Sequence, residues 1–128
     1  MSRKNIQTDR APHAIGPYSQ AVQVDAGKLT FLSGQIPLDP KTGELIKGDV
    51  VAQTERVMEN LKGVLAAAGL DFSHVVRCTL FLTDLGDFAK VNKTYGRYFI
   101  GAPPSRSTVQ VAALPRGVRV EIDAIAVS

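Results

Sequence analysis

Apolar and polar positions alternate along this chain in two rhythms, one strand-like and one helical. Ala21-Val22-Gln23-Val24 and Lys28-Leu29-Thr30-Phe31-Leu32-Ser33 are short β-prone runs separated by Asp25-Ala26-Gly27, an order that predicts a hairpin. From Asp49 to Ala68 the rhythm changes. Val50, Val57, Leu61, Val64, Leu65 and Ala68 share one helical face, with Asp49 placed as N-cap and Gly69 as the stop. His74–Leu82 is β-branched and apolar and reads as a strand. Asp84-Leu85-Gly86-Asp87 opens a second helix, whose stripe is Phe88, Val91, Tyr95, Tyr98 and Phe99 and whose stop is Gly101 with Pro103-Pro104. Ser107–Val111 and Val118–Val127 read as strands joined by a turn at Leu114-Pro115-Arg116-Gly117. The first twenty residues lack periodicity, and Ala11-Pro12 and Gly16-Pro17 mark them as loop.

The order is ββαβαββ, an α+β fold in a single domain, residues 1–128, with two helices on one face of a sheet. In the last strand Val118, Val120, Ile122, Ala124 and Ala126 can meet those helices. The other face carries Arg119, Glu121, Asp123, Ile125 and Val127, and alternation sets Arg77 and Thr79 beside Phe81. Two helices cannot cover both faces. The mixture of bulk and charge on the second face therefore predicts burial against another copy, a homo-oligomer.

Composition narrows the function classes. Fifteen Lys+Arg against twelve Asp+Glu leave a net charge of +3, spread along the chain without the basic stripe of a nucleic-acid binder. Zero Trp and three Tyr also argue against a base-stacking platform. No run approaches the ~20 apolar residues that cross a bilayer. The segment Met1–Arg10 has no apolar signal core, and a single cysteine, Cys78, forms no internal disulfide, so a reducing cytoplasm is expected. His13 and His74 lie far apart with no CxxC, which leaves no zinc pattern. Walker A, G-x-S-x-G and G-x-G-x-x-G motifs are missing as well. Cys78, mid-strand among apolar neighbours, reads as a buried inert thiol. No metal, cofactor or covalent nucleophile is implied.

A few polar residues occupy unusual places. Arg106 follows Pro103-Pro104-Ser105 at the mouth of a strand and shares a face with Thr108 and Gln110, while Glu121 interrupts the apolar last strand. If these strands pair through the Leu114–Gly117 turn, Arg106 and Glu121 come close across the ladder. Two readings stay open: a cross-strand ion pair, or a guanidinium offered to a small carboxylate beside a carboxylate for proton transfer. Tyr18, Ser33, Gly34 and Asn92 add further polar groups, none specific alone.

Taken together they resemble a known family. Ile15-Gly16-Pro17-Tyr18-Ser19-Gln20-Ala21, Ser33-Gly34-Gln35-Ile36-Pro37, Val91-Asn92-Lys93-Thr94-Tyr95 and the run from Pro104-Ser105-Arg106-Ser107 to Val120-Glu121-Ile122 resemble the RidA (YjgF/YER057c) family. The resemblance implies a chorismate-mutase-like fold and a homotrimer whose sheets surround a central barrel, with sites in clefts between subunits. It implies hydrolysis of reactive 2-enamino and 2-imino acids such as 2-aminoacrylate to keto acids and ammonia. Arg106 would grip the substrate carboxylate and Glu121 would serve water or proton transfer. Tyr18, Ser33, Gly34, Asn92 and Thr108 would line the cleft, with Tyr18 reaching across the subunit boundary. Many members carry cysteine where this chain has Thr108, which removes thiol chemistry at that position. Two other functions compete: endoribonuclease or translation inhibition, and a non-catalytic ligand-binding or chaperone-like trimer.

Overall fold

Asp49 adopts an extended backbone and its carboxylate accepts a hydrogen bond from the Ala52 N–H, satisfying a donor that a helix start leaves free. Helix α1 then runs Val50–Ala67 in the computed structural model, which describes residues 2–25 and 27–128. Gly69 follows at φ +75°, the left-handed conformation that ends helices at little steric cost. Near the second helix, Asp84 accepts from the Gly86 N–H and starts one 3₁₀ turn, Leu85–Asp87, and α2 continues as Phe88–Gly96. Asp87 is buried and its two carboxylate oxygens accept from the Arg119 guanidinium at 2.8 and 2.7 Å. That fork ties the start of α2 to the sheet.

The strands are β1 (Arg3–Ile6), β2 (Ala21–Val24), β3 (Leu29–Gln35), β4 (Val75–Leu82), β5 (Ser105–Gln110) and β6 (Val120–Val127). Four form a mixed sheet in the order β3-β6-β4-β5, with β4 and β5 parallel and the other pairs antiparallel. β1 and β2 make a separate antiparallel ribbon. Both helices lie on one face. There Val57, Met58, Leu61 and Leu65 of α1 and Val91 and Tyr95 of α2 pack with Cys78, Leu80 and Leu82 of β4 and Val120, Ile122 and Ala124 of β6, all buried. The α+β class and the one-sided helices are as the sequence predicts.

Three expectations are corrected. The hairpin does not form: β2 pairs with β1, from Arg3↔Val24 to Ile6↔Ala21, and β3 pairs with β6. The Asp25-Ala26-Gly27 connection, whose Ala26 lies outside the described residues, has its flanks drawn to opposite chain ends. Asp25 donates to the Ser2 carbonyl, and Lys28 to that of Ser128. Secondly, the stretch read as loop contains β1. Thirdly, β5 and β6 are not neighbours, because β4 lies between them. β6 is apolar enough along its length for a central position, whereas β5 exposes Ser107, Val109 and Gln110 and suits an edge.

The face away from the helices is partly apolar and uncovered in one chain. Phe31 is 70% exposed, Leu29 56% and Val109 41%, around the partly buried Phe81 and Ile125.

Cys78 sits on the helix side of β4, 1% exposed, where burial pushes its thiol up to about 11. At pH 8 only about one part in a thousand is then thiolate, the reactive form. Ellman's reagent is expected to leave Cys78 untouched in native protein at pH 8 and to label it stoichiometrically in denaturant. Rapid labelling of the native state would contradict the buried placement.

Candidate functional site

Arg106 leaves β5 on the helix side. It pairs in register with Cys78, and Cys78 with Ala124, both in the core; side chains in one cross-strand row share a face. The guanidinium is thereby driven between the β5 edge and α2. Phe88, Asn92 and Tyr95 lie at i, i+4 and i+7 of that helix, on one stripe. Arg106 Cζ lies 5.6 Å from the Phe88 ring centroid, 5.3 Å from that of Tyr95 and 5.3 Å from that of Tyr18. These separations favour cation–π attraction. The Tyr18 loop is a tight turn in which the Tyr18 N–H donates to the Gly16 carbonyl at 2.8 Å, and Gly16 closes the cage. A Cβ at Gly16 would stand 3.0 Å from Arg106 Nη2 and 3.7 Å from Asn92 Nδ2, so glycine allows the backbone to approach the guanidinium closely.

No carboxylate pairs with Arg106 among the described residues. Burial pulls its pKa below the usual arginine value, yet arginine remains charged at any physiological pH. Arg106 Nη1, Asn92 Oδ1, Tyr95 Oη and Thr108 Oγ1 are all buried and lack a hydrogen-bond partner among the described residues. Each such group costs about 1–3 kcal/mol when left unpaired. A caged cation with a spare donor can pair with a small planar anion such as a carboxylate, and the neighbouring amide oxygen can accept from an N–H.

Glu121 belongs to the other face. It pairs with Phe81, and Phe81 with Val109, the row opposite to the core. Its carboxylate lies over Gly34 of β3: a Cβ there would fall 2.1 Å from Glu121 Oε2. Ser33 is exposed beside it, where the β3–β6 register shifts between Leu32 and Gln35. The candidate residues thus divide into two groups. Arg106, Tyr18, Asn92 and Thr108 gather on the helix side at the β5 edge; Glu121, Ser33 and Gly34 gather at the β3 edge. The edges stand three strand spacings, about 14 Å, apart. The expected meeting of Arg106 with Glu121 across the ladder is overturned, since β4 separates their strands and they face opposite ways. Tyr18 packs on Arg106 within the chain.

Phe88, Tyr95 and Gly16 were not anticipated as site residues. The i, i+4, i+7 spacing of Phe88, Asn92 and Tyr95 is the signal that places both rings beside Asn92. The histidines serve local contacts: His13 pairs with Asp9 at 2.7 Å, and His74 Nδ1 accepts from the Asp71 N–H. No group of three His, Cys, Asp or Glu among the described residues is arranged to hold a metal ion. Nor is any described helix long and apolar enough to cross a membrane.

Comparison with known proteins identifies the relatives of this arrangement. The family model described as Endoribonuclease L-PSP matches residues 8–128. The chain is 80% identical over 128 residues to the protein DfrA of Myxococcus xanthus, covering 100% of this chain and 98% of that one. It is 54% identical over 125 residues to the 2-iminobutanoate/2-iminopropanoate deaminase of Mus musculus, covering 98% and 91%. Among solved structures, E. coli TdcF with bound serine superimposes with a TM-score of 0.75 at 48% identity, covering 98% of each chain. The chain therefore belongs to the Endoribonuclease L-PSP family, the RidA (YjgF) family that its motifs resemble.

Proposed function

We propose that this chain hydrolyses 2-imino and 2-enamino acids to 2-keto acids and ammonia, at sites shared between adjacent copies of a cytoplasmic homotrimer. The observation that carries the reading is the caged Arg106, a half-buried guanidinium with no carboxylate partner among the described residues and an unmatched Nη1. The mouse relative's name and the serine bound to TdcF support a small substrate that bears an α-carboxylate.

In this reading the Arg106 fork holds the carboxylate and orients the adjacent C2. An enamine first takes a proton at C3 and becomes the iminium. Water then adds to C2, with Glu121 of a neighbouring copy accepting its proton, and a carbinolamine forms. Proton return from Glu121 to nitrogen expels ammonia while the carbinolamine hydroxyl gives up its proton to the same carboxylate, and the C=O of the keto acid forms. The iminium carbon is already electrophilic, so the protein's contribution is mainly orientation and one proton relay. Asn92 Oδ1, unpaired among the described residues, would accept from the substrate's N–H, and Thr108 Oγ1 would bond its carboxylate. Tyr18 packs on the clamp, while Ser33 and Gly34 accompany Glu121 from the neighbouring copy. The exposed Phe31, Leu29 and Val109 supply the apolar surface through which copies pack.

A threonine dehydratase generating the imine, with keto-acid release followed spectroscopically, tests the activity. Wild-type protein is expected to accelerate release, Arg106→Ala to lose about 10²–10³-fold in kcat/KM, and Arg106→Lys to fall between because an ammonium cannot form the fork. No acceleration by wild type above buffer would refute the deaminase reading and favour a ligand-binding role.

The assembly has its own test. Phe31→Asp places a charge on the bare sheet face without touching the core. Sedimentation analysis is expected to find a trimer for wild type and monomers for the variant, with the loss of activity that a shared site requires. A monomeric wild type, or a fully active monomeric variant, would contradict it.

A further inference from the structure

On the helix side, away from the bare sheet face, the surface opens into a groove of about 620 Å³ that shares no lining residue with the Arg106 cluster. Its volume falls in the range that holds small organic ligands. The floor is aromatic. Phe72 packs edge-on against Tyr98 and Phe99, with ring centroids 5.5 and 5.4 Å apart. Ile100 stands fully exposed at the rim, where an isoleucine gains nothing from folding unless something covers it.

Cations predominate at the rim. Arg3 crosses from β1 and donates to the carbonyls of Ser73, Val75 and Ala102, which fixes its guanidinium without neutralising it. Lys62 stands exposed on α1 and makes no ion pair among the described residues. Arg97, also in the lining, pairs with Glu55 at 3.1 Å, and Asp71 accepts from the Ser73 N–H, which leaves its carboxylate charged. An aromatic floor thus lies beneath a rim on which Arg3, Lys62 and Arg97 outnumber the lining carboxylate of Asp71.

We propose that this groove binds a small aromatic anion, its ring on Phe72, Tyr98 and Phe99 and its carboxylate or sulfonate toward Arg3 and Lys62. A flat ring matches edge-to-face aromatic packing, and the anion offsets the positive rim. The site adjoins the Arg106 cage, since Phe99 packs on Tyr95 with centroids 4.8 Å apart, but it takes no residue from it, and its occupancy does not depend on the proposed activity.

Fluorescence titration with 8-anilinonaphthalene-1-sulfonate tests the proposal, with neutral N-phenyl-1-naphthylamine as comparison. Wild type is expected to show one saturable site per chain, to prefer the sulfonate about tenfold, and to bind it less tightly as salt is raised. Lys62→Glu and Ile100→Asp, both at exposed positions, should each weaken binding about fivefold or more with melting temperature unchanged. Arg106→Ala should bind as wild type. Equal affinity for the neutral compound would reduce the groove to an apolar patch and overturn the anion site. Unchanged binding in both rim variants, or loss in Arg106→Ala, would place the probe elsewhere and overturn it too.

Discussion

A β-sheet presents alternate residues to opposite faces, and in this molecule that alternation separates the two charged groups most suited to chemistry. The row Arg106–Cys78–Ala124 points toward the helices, and the row Val109–Phe81–Glu121 points away. No rotamer change brings the guanidinium and the carboxylate together within one chain. The remaining features are organised around that separation. The β5 edge carries a cation in an aromatic cage, the β3 edge carries a carboxylate over Gly34, and the bare face between them is partly apolar.

The cage explains how a charge is kept half-buried without a counter-ion. Desolvation opposes the arrangement, as the lowered pKa of Arg106 records. Three ring faces return part of the cost, about 0.5–2 kcal/mol each. They also restrict the guanidinium to one plane, so that its fork is oriented before any ligand arrives. A carboxylate in the same place would have accepted the fork, neutralised the cation and closed the site. Aromatic rings hold it and leave Nη1 unpaired. Such preorganisation suits a reaction whose electrophile is supplied by the substrate and whose main requirement is position.

Much of this was legible in the sequence, and the failures share a cause. Helix α1 was readable because its signals are local: Asp49 at the cap, one apolar stripe and Gly69 at the end. Arg106, Glu121, Tyr18 and Asn92 were recognisable as polar residues in unusual places. Their partnerships were not, because sheet order is a non-local property. Two apolar runs separated by a short turn read as a hairpin, yet β2 found β1 and β3 found β6. Likewise a turn between β5 and β6 suggested pairing, until β4 was found between them. The aromatic cage was half visible, since Phe88, Asn92 and Tyr95 have stripe spacing, but the rings read as core. The groove beside Arg3 draws on four separate segments and leaves no trace in any one of them.

The central claim is that a working site takes Arg106 from one copy and Glu121 from the next, and mixing two inactive variants tests it directly. Arg106→Ala and Glu121→Gln would be unfolded together in equal amounts, refolded, and assayed for imine hydrolysis. In a random cyclic assembly about a quarter of the sites join an intact Arg106 to an intact Glu121, so activity near a quarter of wild type is expected. Activity no higher than the mean of the two separate variants would contradict a site shared between copies.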